Sequence, residues 1–294
     1  MKAQQLTLDV NTGGIKLEKK KKRKVRSPLR YPGGKSRALK FIMPIVPKFK
    51  EFREPFVGGG SVFFELKQKF PDATYWINDI NEDLYWFYFH SQNNMSALLK
   101  DVRKIKKERD NGRELFKELT NPEREFTNFE KAVRFFVLNR ITFSGTVDSG
   151  GYSEEAFQKR FTDSSIERLS EIETLLQNTK ITNLDYENVI YAPGKEVFIF
   201  LDPPYYSTTK SRLYGKNGDL HEQFDHERFA YNMRKCDHKW LITYDNTPEV
   251  IKLFDFRNVW IREWELQYGM NNYKQDNARK GRELFISNYD INNV

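Results

Sequence analysis

The chain has 294 residues, of which 38% are hydrophobic and 31% charged, and its mean hydropathy is -0.75. No apolar run approaches the roughly 20 residues that a helix needs to span a bilayer, and the opening residues lack the apolar segment of a secretion signal. The single cysteine, Cys236, excludes an internal disulfide and a cysteine-based zinc or iron–sulfur site. These features predict a soluble cytoplasmic protein without membrane contact, long enough to bury a sizeable core.

The net charge of +8 is concentrated at the N-terminus. Residues 1–26 contain nine Lys and Arg against two Asp and Glu, which accounts for +7 and leaves +1 for the rest of the chain. Because this segment lacks hydrophobic periodicity, we predict a flexible basic arm. The arm is compatible with phosphate contacts, with a nuclear-localisation signal that would send the protein to a nucleus, or with a solvated tail. Any anion-binding surface on the body must be a local patch.

The body is predicted to begin with a Pro-Gly-Gly turn. The Gly-Lys-Ser run at 34–36 imitates a phosphate-binding loop, but that motif requires a glycine where Leu29 stands. What remains is an aromatic residue, Tyr31, and a lysine, Lys35, across the turn. An amphipathic stretch at 38–46 predicts that the turn opens onto a helix.

The next unit is a strand, a glycine turn and a helix. The strand ends at Val57, and glycines occupy residues 58–60, where they let a ligand approach the backbone. A dinucleotide fingerprint would place its third glycine at Phe63, so a smaller nucleoside ligand is predicted. A second strand, residues 74–78, ends at Asp79, and an acid there is placed to accept both hydroxyls of a ribose.

Helical patterns dominate from about residue 84 to residue 180, which indicates an insertion between the second strand and the later sheet. Within it, residues 139–152 form a polar, glycine-bearing segment. Its Arg, Asn, Ser, Thr and Tyr residues are of the types that reach phosphates and base edges. The alternative is an ordinary hairpin on a helical subdomain.

The sheet resumes at residues 180–186, with a strand that ends at Asp185. Residues 197–201 are five consecutive large apolar residues, which predicts a strand buried on both faces. Asp202 follows it, and two prolines then stop the strand and hold this acid on a stiff turn. Asp79, Asp185 and Asp202 therefore gather at one edge of one sheet, where ligands bind in such folds.

The segment Asp202-Pro203-Pro204-Tyr205 suits a planar ligand that carries an amino group. The carboxylate and a turn carbonyl accept two N–H bonds while the tyrosine ring stacks on the ligand. The alternative is a strand end closed by a Pro-Pro turn. The chain then continues with a predicted helix at 225–236, a strand at 240–244, and a hairpin between 259–268 and 283–287.

The order and spacing of these motifs resemble the Dam-type DNA adenine N6-methyltransferases of the D12 class, alpha group. The resemblance covers residues 27–288 and rests on Arg30 to Lys35, Glu54 to Ser61, Asn78 to Asn81, Asp185-Tyr186, Asp202 to Tyr205, and Glu283 to Asn288. It implies the α/β class: a Rossmann-like methyltransferase sheet with an inserted, mainly helical target-recognition subdomain. The implied parts are the arm, residues 1–26; the methyltransferase domain, residues 27–90 and 180–294; and the target-recognition insertion, residues 91–179.

The resemblance implies a site-specific DNA methyltransferase that moves a methyl group from S-adenosylmethionine to N6 of a flipped adenine in duplex DNA. Its partners would be double-stranded DNA and, as a separate protein, a cognate restriction endonuclease; no metal is needed. Asp79 would bind the cofactor ribose and Asp185 would face its adenine. The implied catalytic residues are Asp202, Pro203, Pro204 and Tyr205. The implied cofactor-binding residues are Tyr31, Gly33, Gly34, Lys35, Phe56, Gly58, Gly59, Gly60, Asp79, Ile80, Asp185, Tyr186 and Asp202.

The implied DNA contacts lie in the insertion, at Asn139, Arg140, Phe143, Ser144 and Tyr152. GATC-specific members usually begin this hairpin with Asn-Arg-Gly, whereas this chain has Ile141 in the third position. The GATC site therefore does not carry over. Two alternatives remain, a methyltransferase of this fold that acts on RNA or protein, and a catalytically inactive DNA-binding relative. The intact motifs and the insertion favour DNA methylation.

Overall fold

A computed structural model describes residues 24–147, 150–206, 224–266 and 281–294. Most of the predicted basic arm, through Arg23, lies outside the described residues. The described chain forms a seven-stranded sheet in the order β3-β2-β1-β4-β5-β7-β6. Its first five strands are parallel, and β7 is antiparallel to both β5 and β6. The strands are β1 Glu51–Glu54, β2 Thr74–Asn78, β3 Thr179–Thr182, β4 Val197–Leu201, β5 Lys239–Asp245, β6 Trp260–Leu266 and β7 Gly281–Ser287.

Helices flank this sheet, so the predicted α/β, Rossmann-like architecture is confirmed. None of the described helices is long and apolar enough to cross a membrane. The helices are α1 Leu39–Ile42, α2 Ser61–Lys69, α3 Glu82–Asn93, α4 Met95–Glu108, α5 Gly112–Leu119, α6 Asn128–Ile141, α7 Glu154–Arg160, α8 Asp163–Ser170, α9 Glu173–Leu176, α10 Tyr186–Ile190, α11 His226–Lys235 and α12 Pro248–Leu253.

Prolines account for two differences from the sequence prediction. The helix expected at 38–46 ends after one turn and continues as a short 3-10 turn that contains Pro44. The first strand, expected to reach Val57, stops at Glu54 because Pro55 has no N–H to donate to the sheet. The early end of β1 places Glu54 directly at the carboxyl edge of the sheet.

Strand β4 is central, as predicted, and all five of its residues are buried. It pairs in parallel with β1 on one side and with β5 on the other. Its side chains alternate, so that Phe198 and Phe200 enter one apolar core while Ile199 and Leu201 enter the other. This double burial fixes the position of the residue that follows, Asp202.

Helices α3 to α9 lie between β2 and β3, where an insertion is predicted. Helix α6 begins with a capping box between Thr127 and Glu130 and packs its aromatic residues against Phe87 of α3. The apolar residues of the insertion and those of one sheet face form one continuous core. The insertion is therefore fixed on the sheet. The boundaries at residues 91 and 179 stay a prediction.

The described chain is held to the fold slightly before the predicted start at Ser27. The Val25 N–H donates to Gln68 Oε1 at 2.9 Å, and Gln68 Nε2 donates to the Val25 carbonyl at 2.9 Å. Lys24 also pairs with Glu65. The end of the basic run thus packs along α2.

Candidate active site

One cavity opens at the carboxyl edge of the sheet, between the Pro-Gly-Gly turn, the glycine turn after β1 and the turn after β4. It is lined by Tyr31, Pro32, Gly33, Gly34, Lys35, Glu54, Phe56, Val57, Gly58, Gly59, Gly60, Ser61, Val62, Asp79, Ile80, Asn81, Asp202, Pro203, Pro204, Tyr205 and Phe224. All the predicted catalytic residues are in this set, as are all the predicted cofactor residues except Asp185 and Tyr186.

The glycine turn after β1 is pressed against an aromatic ring. Gly58 has a φ of +45°, and a Cβ built there would lie 2.8 Å from Cε1 of Tyr31. The Gly58 carbonyl accepts the hydroxyl of Tyr88 at 2.8 Å, and its N–H donates to Asp79 at 2.9 Å. Only glycine fits this position, because both the left-handed backbone and the Tyr31 ring exclude a side chain.

Asp79 follows β2 and is held by the backbone around it. Its Oδ2 accepts the Gly58 N–H at 2.9 Å, and its Oδ1 accepts the Asn81 N–H at 3.1 Å. Burial raises the pKa of Asp79 to about 6, although these N–H groups act to lower it. Each carboxylate oxygen has a second lone pair, so Asp79 can still accept hydroxyl groups from a ligand in the cavity.

Glu54, the last residue of β1, is a cavity residue to which the sequence assigned no role. Its side chain is buried, and Oε2 accepts the N–H of Phe63 in the first turn of α2 at 3.0 Å. Burial raises the pKa of Glu54 well above its ordinary value, and the nearby Asp202 and Asp79 raise it further. The motif Glu-Pro-Phe-Val-Gly contained this acid, but its position at the strand end depends on Pro55.

Asp202 is fixed by two donors on a single oxygen. The Lys35 ammonium lies 2.8 Å from Oδ1, and the Thr243 hydroxyl of β5 donates to the same atom at 2.8 Å. Lys35 is buried and also donates to the Gly33 carbonyl at 2.9 Å. These two donors orient the carboxylate, and Pro203 behind it is buried.

The ring of Tyr205 completes this side of the cavity. The Lys35 ammonium lies 5.0 Å from the centroid of this ring. The Tyr205 hydroxyl donates to Glu283 Oε2 of β7 at 2.8 Å. A lysine over one ring and beside one carboxylate joins the two predicted motifs, at residues 30–35 and 202–205, into a single site.

Two further aromatic rings line the cavity, and a third packs against one of them. Phe56 lies 5.8 Å, centroid to centroid, from Phe224 and 5.5 Å from Tyr186. Phe56 and Phe224 line the cavity, whereas Tyr186 is buried behind Phe56 and accepts the Asn232 amide at 2.9 Å. The lining of the cavity therefore combines apolar aromatic rings with carboxylates.

A comparison with known protein families identifies the family to which the chain belongs. The sequence model described as D12 class N6 adenine-specific DNA methyltransferase matches residues 31–270, which include every lining residue of the cavity. The chain belongs to this family. It is an adenine-specific DNA methyltransferase, as the sequence motifs predicted.

Similar proteins agree with this assignment. The methyltransferase is 28% identical, over 90% of its own length and 99% of the relative, to the type II methyltransferase M.MjaIII of Methanocaldococcus jannaschii. It is 25% identical, over 94% and 99%, to the type II methyltransferase M1.LlaDCHI of Lactococcus lactis subsp. cremoris. A DNA adenine methylase of Vibrio cholerae is 26% identical over 67% of this chain and 72% of the relative.

Two predicted cofactor residues of the methyltransferase lie outside the main cavity. Asp185 caps α10 by accepting the Glu187 N–H at 2.9 Å, and its other oxygen lies 3.3 Å from Arg228. With Arg228 it lines a separate pocket, and Tyr186 supports Phe56 from behind. The structure thus brings Asp79 and Asp202 together and sets Asp185 apart from them.

In the predicted DNA-contacting hairpin, the first two residues point inward. Asn139 is fully buried and bonds both backbone polar groups of Arg30, at 2.9 Å and 2.7 Å. Arg140 is 3% exposed and donates to the Pro28 carbonyl and, at 2.8 Å, to Asn139. The polar groups of both residues join the insertion to the segment before the Pro-Gly-Gly turn, and their assignment as DNA contacts stays a prediction.

The other hairpin residues lie nearer the surface. Phe143 is 68% exposed, and Ser144 beside it has a φ of 56°. Tyr152 is half-buried, forms a bridge with Thr142, and packs under the Arg113 guanidinium at 5.2 Å. Gly145 follows Ser144, and a Cβ built on it would lie 2.2 Å from the Arg30 carbonyl oxygen. This part of the hairpin therefore packs closely against the segment that contains Arg30.

Proposed function

We propose that the cavity binds S-adenosylmethionine and that Asp202 and Pro203 present N6 of a flipped adenine, from a specific site in duplex DNA, to it. One observation carries the proposal. Asp202, held at the end of the central strand, lines the same cavity as Asp79 and the glycine turn. A base-binding carboxylate and a ribose-binding carboxylate on one cavity fit a reaction between a nucleoside cofactor and a base.

The residues present fit this cofactor. Asp79 has acceptor capacity for two ribose hydroxyls, and the Phe56 and Phe224 rings offer apolar aromatic surface for an adenine ring. Gly58 and its neighbours place no side chain between the ligand and the backbone. When bound, S-adenosylmethionine supplies an electrophilic methyl group on a sulfonium.

Asp202 orients the acceptor. Because Oδ1 already receives Lys35 and Thr243, we assign Oδ2 to one N6 proton of adenine and the Pro203 carbonyl to the other. These two bonds favour a pyramidal nitrogen whose lone pair points into the cavity, and the carboxylate stabilises positive charge that develops on N6. Tyr205 stacks on the flipped base and recovers part of the few kcal/mol that flipping costs.

The DNA is proposed to lie against the hairpin. Exposed Phe143 and the half-buried Ser144 and Tyr152 are the candidates for base contacts. Burial lowers the pKa of Arg30, and the charge of the neighbouring Arg160 lowers it further against an opposing influence of Glu155. Such a pair of like charges is relieved by a phosphate. Relatives named type II methyltransferases also support a separate restriction endonuclease as partner.

Transfer of tritiated methyl groups from S-adenosylmethionine tests the proposed function against its rivals. Duplex DNA, RNA and a mixture of proteins are offered in parallel. We expect labelling of duplex DNA alone. Labelling of RNA or protein instead would overturn the choice of substrate, and binding of DNA without any labelling would identify an inactive relative.

Cofactor binding should depend on pH through Asp79. The ionised carboxylate accepts the ribose hydroxyls more strongly than the neutral acid does, and the pKa of Asp79 is about 6. Affinity for S-adenosylmethionine should therefore reach its maximum above about pH 7, where Asp79 is ionised, and fall roughly tenfold by pH 5. Calorimetry of the wild type and of Asp79→Asn measures this. The variant should bind more weakly with a flat pH profile between 5 and 7, and an unchanged slope in Asp79→Asn would assign the titration to another group.

A further inference from the structure

Strand β7 carries a buried carboxylate at Glu283. Glu283 is 1% exposed, and Leu284, Phe285 and Ile286 after it are buried as well. It is paired with Asp245 of β5 on one side and with Trp264 of β6 on the other. Burying a carboxylate costs free energy that hydrogen bonds or charged partners must offset, so the partners of Glu283 matter.

The bonds of Glu283 point to the active site. Oε2 accepts the Tyr205 hydroxyl at 2.8 Å, whereas Oε1 has no hydrogen-bond partner within the described part of the chain. The charged groups that face it are Lys35 from the Pro-Gly-Gly turn, Asp202 after β4 and Asp245 on β5. Burial raises the pKa of Glu283 to about 7 against the opposing influence of Lys35. An apolar residue at this position would avoid the free-energy cost of burying a carboxylate.

Its effect on Tyr205 is geometric. The Tyr205 ring lies beneath the Lys35 ammonium, and its centroid is 6.1 Å from that of Tyr244. Rotation about the side-chain bonds tilts the plane of the ring relative to the cavity, and an anchor at the hydroxyl restricts this rotation. The bond to Glu283 removes this freedom.

We propose that Glu283 is a positioning residue for methyl transfer: its carboxylate holds the Tyr205 hydroxyl and so sets the orientation in which the Tyr205 ring stacks on the target base. The inference rests on the proposed function, in which Tyr205 meets the flipped adenine. It adds a second anchor to the site, on β7, beside the Thr243 anchor that β5 gives to Asp202.

Variants separate this role from simple support of the fold. Glu283→Gln keeps an oxygen acceptor for the hydroxyl, Glu283→Leu removes it, and Tyr205→Phe removes the donor. If the hydroxyl bond is what matters, Glu283→Leu lowers kcat roughly tenfold or more, and Tyr205→Phe lowers it comparably. In the Tyr205→Phe background Glu283→Leu should then cost nothing further. Glu283→Gln should stay within about threefold of the wild type.

The test measures kcat and KM for unmethylated plasmid DNA at saturating S-adenosylmethionine, with cofactor affinity by calorimetry and thermal unfolding for every variant. We expect kcat to fall while cofactor affinity stays constant. Equal losses from Glu283→Leu in both backgrounds, or full kcat in Tyr205→Phe, would overturn the positioning role. If Glu283→Leu does not fold, Tyr205→Phe and Glu283→Gln still decide. Methyl transfer by the wild type reports on the proposed function separately, because the inference concerns only ratios to it.

Discussion

Asp202→Ala should lower methyl transfer on the order of 10²–10³-fold while leaving affinity for S-adenosylmethionine nearly unchanged. The carboxylate is assigned to the base, and its removal takes away both the orientation of N6 and the negative charge beside it. Asp79 is assigned to the cofactor. Asp79→Ala should therefore weaken the binding of S-adenosylmethionine, and its rate of methyl transfer at saturating cofactor should fall less than that of Asp202→Ala. Single-turnover transfer and calorimetry on both variants measure the two effects independently.

A matched control is needed because Asp202 also supports Lys35. Removing the acid leaves this buried ammonium with only the Gly33 carbonyl among the acceptors described above. Asp202→Asn keeps an oxygen for Lys35 and Thr243 but removes the charge, so it should lose less stability than Asp202→Ala and still transfer methyl groups slowly. If cofactor binding failed in Asp202→Ala and persisted in Asp79→Ala, the assignment of the two acids would be reversed.

Arg140→Ala should destabilise the protein by about 3 kcal/mol, in contrast to the effect expected of a DNA contact. The guanidinium is buried, bonds the Pro28 carbonyl and Asn139, and lies 5.4 Å from the Phe136 ring centroid. Its loss leaves a cavity and unpaired polar groups. Burial and, to a smaller extent, the neighbouring arginines lower the pKa of Arg140 to about 9. Arg140→Ala relieves the repulsion between these arginines, which offsets part of the loss of stability. Chemical denaturation at pH 7 measures the change.

Phe143→Ala is the matched control in the same hairpin. Because Phe143 is 68% exposed, its truncation should leave the free energy of unfolding within about 0.5 kcal/mol of the wild type. It should instead weaken DNA binding or change the preferred site. A stable Arg140→Ala protein with altered site preference would show that Arg140 reaches the DNA after all, and that the inward arrangement is not the one that binds.

The sequence predicted the parts of the site that depend on local pattern. The apolar run at 197–201 identified β4, and the two prolines after it placed Asp202 at its end. The strand-then-acid pattern likewise placed Asp79. The parallel order of β1, β2 and β4 then brought these acids to one edge, because parallel strands share their carboxyl ends.

The remaining features depend on contacts between distant residues. Nothing local to Arg140 shows that its partner is a carbonyl 112 residues earlier, so a polar side chain in a glycine-bearing segment looked like a DNA contact. Glu283 and Tyr205 are 78 residues apart, and their bond depends on β7 lying beside β5. Asp185 follows a strand like the other acids, but it caps α10 and pairs with Arg228.

Nucleoside analysis of methylated DNA identifies the base and the atom that receive the methyl group. Unmethylated plasmid is incubated with the protein and S-adenosylmethionine, digested to nucleosides and analysed by mass spectrometry, with Asp202→Ala in parallel. We expect N6-methyladenine from the wild type, no methylated cytosine, and almost no product from the variant. Methylated cytosine from the wild type, or equal N6-methyladenine from the two proteins, would contradict this expectation.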